Sequence, residues 1–258
     1  MNHSKSPQSA FNFQLSQPSG QLSALVQGIW SASVCERHSE PVIKPLYTDA
    51  GSGIVFHLGG EVKLEEKRLT HGVLLSPVEK ESQQITLFPG ATLAGIRFHP
   101  AIGYGMLGQH FCHLTLLERQ EDQRYRLYDL YDKLQSHSDN ASRIDTLYTW
   151  LSDNVQRTDL IPNSLGQALE CIQLDVSPGD LGEQMALSQR QIERLFKHWM
   201  EMTPKQYQRI LRVKKAIDYL RQHKEASLVE VSQQFGFSDQ AHMTREFRAI
   251  ARITPGKL

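Results

Sequence analysis

This 258-residue chain has no stretch that approaches ~18 consecutive apolar residues, so no segment is expected to cross a membrane as a helix. Cysteine is scarce. Cys35, Cys112 and Cys171 are odd in number and widely spaced, which argues against a disulfide framework and for a reducing compartment. The opening MNHSKSPQSAFNFQLSQPSG lacks the apolar run of a signal peptide, and a cytoplasmic location is expected. No G-x-S-x-G, phosphate-cradling glycine loop or paired-carboxylate signature occurs, so enzymatic chemistry is not expected. Net charge is also absent, at +0, which taken alone argues against a nucleic-acid partner.

That zero hides a split. Residues 165–258 carry 14 Lys and Arg against 11 Asp and Glu, whereas residues 1–164 carry 14 against 17. A mildly basic C-terminal part on an acidic N-terminal one is compatible with DNA binding through a few placed contacts.

Hydrophobic pattern divides the chain in the same place. Residues 1–20 read as a flexible arm. From about 41 to 99, short β-branched runs alternate with turn residues. Ile54–Leu58, Gly59-Gly60 and Glu61–Leu64 read as a hairpin, and further strands are expected at Gly72–Leu75, Gln84–Leu87 and Thr92–Phe98. Strands at this spacing suggest a small β-sandwich or barrel. Residues 101–160 turn helical, with helices expected at Tyr125–Gln135 and Ala141–Val155. A break at Thr158–Ser164 marks a boundary between a 21–160 unit and a 165–258 unit. The fold class is α+β, a β-rich N-terminal unit with helices followed by an all-α unit.

Helix starts are legible beyond the boundary. Ser177…Asp180, Ser188…Gln191, Thr203…Gln206 and Ser227…Glu230 have capping-box spacing, and Pro178 and Pro204 suit a first helical position. These starts predict helices near 165–174, 178–186, 189–200, 204–223, 228–235 and 239–250. They make two pairs of short helices with one long helix between them. The pairs repeat. Leu187-Ser188 matches Phe237-Ser238, and Ile192, Arg194, Phe196, Lys197, Thr203 and Pro204 match Met243, Arg245, Phe247, Arg248, Thr254 and Pro255. Within 189–200, Ile192, Leu195 and Phe196 share an apolar face that leaves Arg190, Glu193, Arg194 and Lys197 outside. In the second copy Met243 and Phe247 face inward, and Gln240, His242 and Arg245 are free to face out. A DNA-recognition helix needs this division between a packing face and a face of long hydrogen-bonding side chains.

The segments LGEQMALSQRQIERLFKHWMEMTP and LVEVSQQFGFSDQAHMTREFRAIARITP resemble the two halves of an AraC/XylS double helix-turn-helix domain, over roughly 165–258. The GFSD turn, an Arg two residues before the aromatic, and a closing Thr-Pro carry the likeness. It implies a bacterial, cytoplasmic transcription activator that binds double-stranded DNA and engages RNA polymerase. Arg190, Glu193 and Arg194, then Gln240, His242 and Arg245, would be the base- or phosphate-contacting positions. Three residues depart from the family pattern: Ala186, Glu201 and Arg252 stand where glycine is usual.

Residues 20–160 resemble the cupin-like sensor halves attached to such domains, with Gly95-Ile96-Arg97-Phe98-His99-Pro100 as the recurring segment. This likeness implies a small-molecule effector or dimerisation, and a regulator acting only through protein partners stays open beside it. Arg97 could clamp an anionic ligand or be ion-paired, and His57 could touch a ligand or be structural. An enzyme on the β unit is disfavoured, since His57 lacks the companion ligands of a metal-dependent cupin. His110-Phe111-Cys112-His113 lacks a second ligand pair for a metal, so neither metal nor cofactor is expected.

Overall fold

The computed structural model describes residues 10–155 and 160–258. Its strands in order are β1 (Phe11–Ser16), β2 (Val26–Val34), β3 (Val42–Leu46), β4 (Gly53–Gly59), β5 (Val62–Leu64), β6 (Lys67–Arg68), β7 (Gly72–Ser76), β8 (Gln83–Leu87) and β9 (Thr92–Phe98). Helix α1 (Ile102–Leu107) and strand β10 (Thr115–Leu116) follow, then α2 (Leu127–Gln135) and α3 (Asn140–Asn154). The C-terminal unit holds α4 (Asn163–Gln173), α5 (Leu181–Met185), α6 (Gln189–Met200), α7 (Pro204–Gln222), α8 (Leu228–Gln234) and α9 (Gln240–Glu246).

Two antiparallel sheets make the β-rich unit, one ordered β1-β2-β9-β4-β7-β10 and the other β3-β8-β5-β6. Side chains alternate across each strand, so the larger sheet buries both faces. One face meets the smaller sheet through Val34, Leu93, Val62, Ile85 and Leu87. The other carries Ile29, Ile54, Phe56, Ile96 and Phe98 and is covered by Met106 of α1, Leu130 and Leu134 of α2, and Leu147 and Leu151 of α3.

The 1–20 arm is not wholly an arm. Residues 11–16 pair along β2 as an edge strand, while residues 1–9 lie outside the described residues. Phe11, Phe13 and Leu15 recur at the strand period of two, a signal that the polar surroundings mask. Strand β2 likewise precedes the span in which strands were expected.

The Ile54–Leu64 hairpin does not form. β4 pairs with β7 and β9, whereas β5 pairs with β6 and β8, so Gly59-Gly60 is a corner between sheets. Gly60 has φ +71, and a Cβ there would sit 2.4 Å from the Ala91 nitrogen, so the corner requires glycine. The real two-residue turn is Glu65-Glu66, between β5 and β6. The helical stretch 101–160 also contains a strand, β10, which extends the sheet beside β7.

In the C-terminal unit, α7 is the rod on which the others pack. Its Tyr207, Ile210, Val213, Ile217 and Leu220 are buried, together with Leu165, Ile192, Phe196, Met243 and Phe247 from the surrounding helices. Full capping boxes form at Ser188/Gln191 and Thr203/Gln206, with Pro204 in the first turn. Ser177 does not begin a helix. Residues 178–180 form a turn, α5 starts at Leu181, and the Ser177 hydroxyl instead donates to Asp180 Oδ2 at 2.9 Å. Ser227 is an N-cap by backbone only, with no side-chain bond. Helix α9 keeps its α form only to Glu246, beyond which residues 247–251 widen into a π turn.

Candidate nucleic-acid interface

The two short-helix pairs place equivalent residues in equivalent surroundings. Phe196 and Phe247 are both completely buried, as are Ile192 and Met243. Arg194 and Arg245, each two residues before its phenylalanine, are both exposed. The turns match too. Ala186 (φ +51) and Gly236 (φ +71) end α5 and α8 in the left-handed conformation, and Glu201 (φ +54) and Arg252 (φ +57) do the same after the second helix of each pair. Departures from glycine at 186, 201 and 252 therefore fall where the backbone favours glycine.

Around α6, Arg190, Glu193, Arg194 and Lys197 all lie on the solvent side. Glu193 accepts a 3.0 Å bond from Gln189 Nε2, which orders the first turn of that face. Around α9, Gln240 and Arg245 are exposed, but His242 departs from expectation. It is half-buried. Its Nδ1 accepts from the Ser238 backbone N–H at 3.2 Å, and its ring lies edge-on to Phe237 at 5.8 Å. A short polar ring placed beside its own N-cap closes onto the turn rather than pointing outward. Asp239, the cap itself, accepts from the His242 N–H, and that bond holds its carboxyl below the usual range.

Sequence reasoning did not single out Arg248 as a contact residue. Arg248 is exposed one turn beyond Arg245 and matches Lys197 under the repeat, a signal that was available. Two arginines on α7 hold the second pair in place. Arg209 donates from Nε and Nη2 to Glu246 at 2.7 and 3.0 Å, and Arg212 lies over the Phe237 ring at 5.6 Å. Their roles depend on contacts 25 to 37 residues away and have no local signature.

The two candidate ligand residues of the β unit have partners within the chain. Arg97 donates from Nε to both Asp49 oxygens at 3.1 Å, with Nη2 also on Asp49, so its fork is closed. Burial alone would raise the Asp49 pKa, but the Arg97 charge, its hydrogen bond and the Gly51 N–H together bring it below the usual value. His57 is buried with Nδ1 3.1 Å from the Thr70 carbonyl and Nε2 3.0 Å from the Gly60 carbonyl. Burial, helped by nearby His71, holds its pKa below that of a free histidine. An anion at Arg97 would have to displace Asp49, and a ligand at His57 would have to open the Gly60 corner. Among the described residues, no group of three or more His, Cys, Asp and Glu could hold a metal ion.

A family model described as a helix-turn-helix domain matches residues 181–258, the segment that holds both pairs and the rod. The C-terminal unit is an AraC-type helix-turn-helix domain. The HTH-type transcriptional activator RhaS of Escherichia coli (strain SE11) is 33% identical over 123 residues, which are 47% of this chain and 38% of that protein. The chain thus spans well under half the length of the curated relatives it matches. A transcriptional regulator structure from Chromobacterium violaceum with an AraC-type DNA-binding domain is 30% identical, covering 36% of this chain and 87% of that one, with a TM-score of 0.34. ToxT from Vibrio cholerae aligns over 96% of this chain and 97% of its own at 11% identity, with a TM-score of 0.49. In this domain α6 and α9 are the second helices of the first and second pairs.

Proposed function

We propose that the protein is a transcription regulator that binds duplex DNA sequence-specifically through α6 and α9. Control enters from the β-rich unit, by a small-molecule effector or by dimerisation. The observation that carries this reading is the duplicated geometry. Two helices with the same buried anchors and the same exposed arginine sit on one rod of 19 residues. At ~1.5 Å per residue the rod spans roughly 28 Å, near the ~34 Å of one DNA turn, so the units can enter successive major grooves.

In this reading Arg190, Arg194 and Lys197 contact bases or phosphates from the first unit, with Glu193 setting the arginine side. Gln240, Arg245 and Arg248 do so from the second, and His242 supports the turn. Transcription activation through RNA polymerase and a cytoplasmic location belong to the same proposal. So does the absence of catalysis, which rests on the regulator family alone.

The test is selection of duplexes from a random-sequence library by the full chain, followed by titration of the enriched sequence. Arg194→Ala and Arg245→Ala should each weaken binding by about 1–3 kcal/mol, roughly 5- to 150-fold, and relax preference at different positions. Parent-like binding by both variants would remove the proposed contacts.

A further inference from the structure

The last turn of a helix leaves carbonyls without intrahelical partners. In both recognition helices the β-rich unit supplies a missing donor. At the end of α6, His110 Nε2–H donates to the His198 carbonyl at 2.6 Å. After α9, the Ser82 backbone N–H donates to the Ile250 carbonyl at 2.7 Å. Under the repeat these carbonyls differ by a single position, so the β unit meets the same turn of both copies.

Each contact is reinforced. Tyr104 of α1 stacks on His110 with centroids 4.2 Å apart, lies edge-on to Trp199 at 5.0 Å, and its hydroxyl is 3.2 Å from His198 Nε2. On the other side Arg252 donates to Glu65 at 2.8 Å and to Glu81 at 3.3 Å. Glu65 is held in place because the same oxygen accepts the Gln84 N–H at 3.1 Å. Ala50 and Ala101 of the β unit also enter the core built on α7.

We infer that the β-rich unit is a brace that fixes the two recognition helices relative to each other, with His110 and Tyr104 positioning the first and Ser82, Glu65 and Glu81 the second. The rod alone joins the units along one line. A second body bound to both helix ends removes the remaining rotation of one unit against the other. Ordering this geometry before DNA arrives reduces the entropy lost on binding and restricts the separation at which two half-sites can be read together. The inference rests on the DNA-binding proposal.

The test uses the full chain and random-sequence duplexes of ~40 base pairs, about four helical turns. The parent is compared with a His110→Phe, Glu65→Gln, Glu81→Gln triple variant, which keeps the ring stack and side-chain shapes while removing one donor and two charges. The parent should enrich two submotifs at one separation. The triple variant should enrich the same submotifs with separations spread, the preference for the best over the next falling about tenfold. A Glu36→Gln, Glu40→Gln variant, which removes two charges at exposed positions outside both contacts, should match the parent and so serves as a folded reference. A triple variant that keeps the parent's single separation at the parent's strength, or binds tighter there, overturns the brace. A parent that enriches no common sequence overturns the DNA-binding proposal and the brace with it.

Discussion

Glu201 ends α6 at φ +54 and ψ +20, in the left-handed region, where a Cβ crowds the following carbonyl. That conformation costs about 1–2 kcal/mol for a non-glycine residue. Its carboxylate also sits at the negative end of the α6 dipole, unfavourable by about 0.3–1 kcal/mol near the surface. Replacing it by glycine relieves both effects, while glycine adds about 0.4–1 kcal/mol of backbone entropy to the unfolded chain. The balance favours Glu201→Gly by about 1 kcal/mol, a rise of roughly 4–8 °C in Tm for a unit of this size. Glu201→Ala separates the causes, because it removes the charge and keeps the strained backbone. Thermal unfolding followed by circular dichroism should rank glycine above alanine, and alanine at or slightly above the parent. A glycine variant that melts at or below the alanine variant would refute the backbone argument.

Arg252→Gly should gain much less, because relief of φ +57 is offset by loss of the Glu65 and Glu81 contacts; the same melts check it. Phe196→Ala and Phe247→Ala, both from fully buried positions, should each cost about 3–5 kcal/mol in urea titrations, and near-equal losses would reflect the repeat. For Asp49 the folded pKa lies below the unfolded 3.8, so its stabilisation is complete above about pH 4 and is lost as pH falls through the lower folded value. Arg97→Gln leaves that part-buried carboxylate without its cation, destabilising the protein at pH 7 by about 1–3 kcal/mol, the cost of a largely desolvated charged group losing its hydrogen-bond partner. The gap to the parent should narrow in acid as Asp49 is protonated, and a gap unchanged between pH 7 and pH 3 would contradict the pairing.

What could be read before any coordinates was whatever repeats along a helix or is written into its ends. The capping boxes at Ser188 and Thr203, the apolar stripe of α7 and the paired phenylalanines are local patterns with a fixed period, and each formed as read. Ser177 shows the limit of that reasoning. A cap residue and a proline satisfy the local rule, yet the chain makes a turn there because Asp180 takes the N-cap position of α5. His242 shows another. Helical spacing places it outward, but nearby Ser238 and Phe237 offer its ring a hydrogen bond and a packing surface.

Helix identity and the duplication belong to the sequence by itself, because caps and apolar periods are local patterns and the second copy repeats them. Strand pairing does not. The corner at Gly60, the edge strand β1 and the closed fork of Arg97 on Asp49 were decided by partners tens of residues away, which alternation along one strand cannot name. His110 was ambiguous in its own segment for the same reason. Its role became definite only when the tertiary fold brought an unpaired carbonyl of α6 within 2.6 Å.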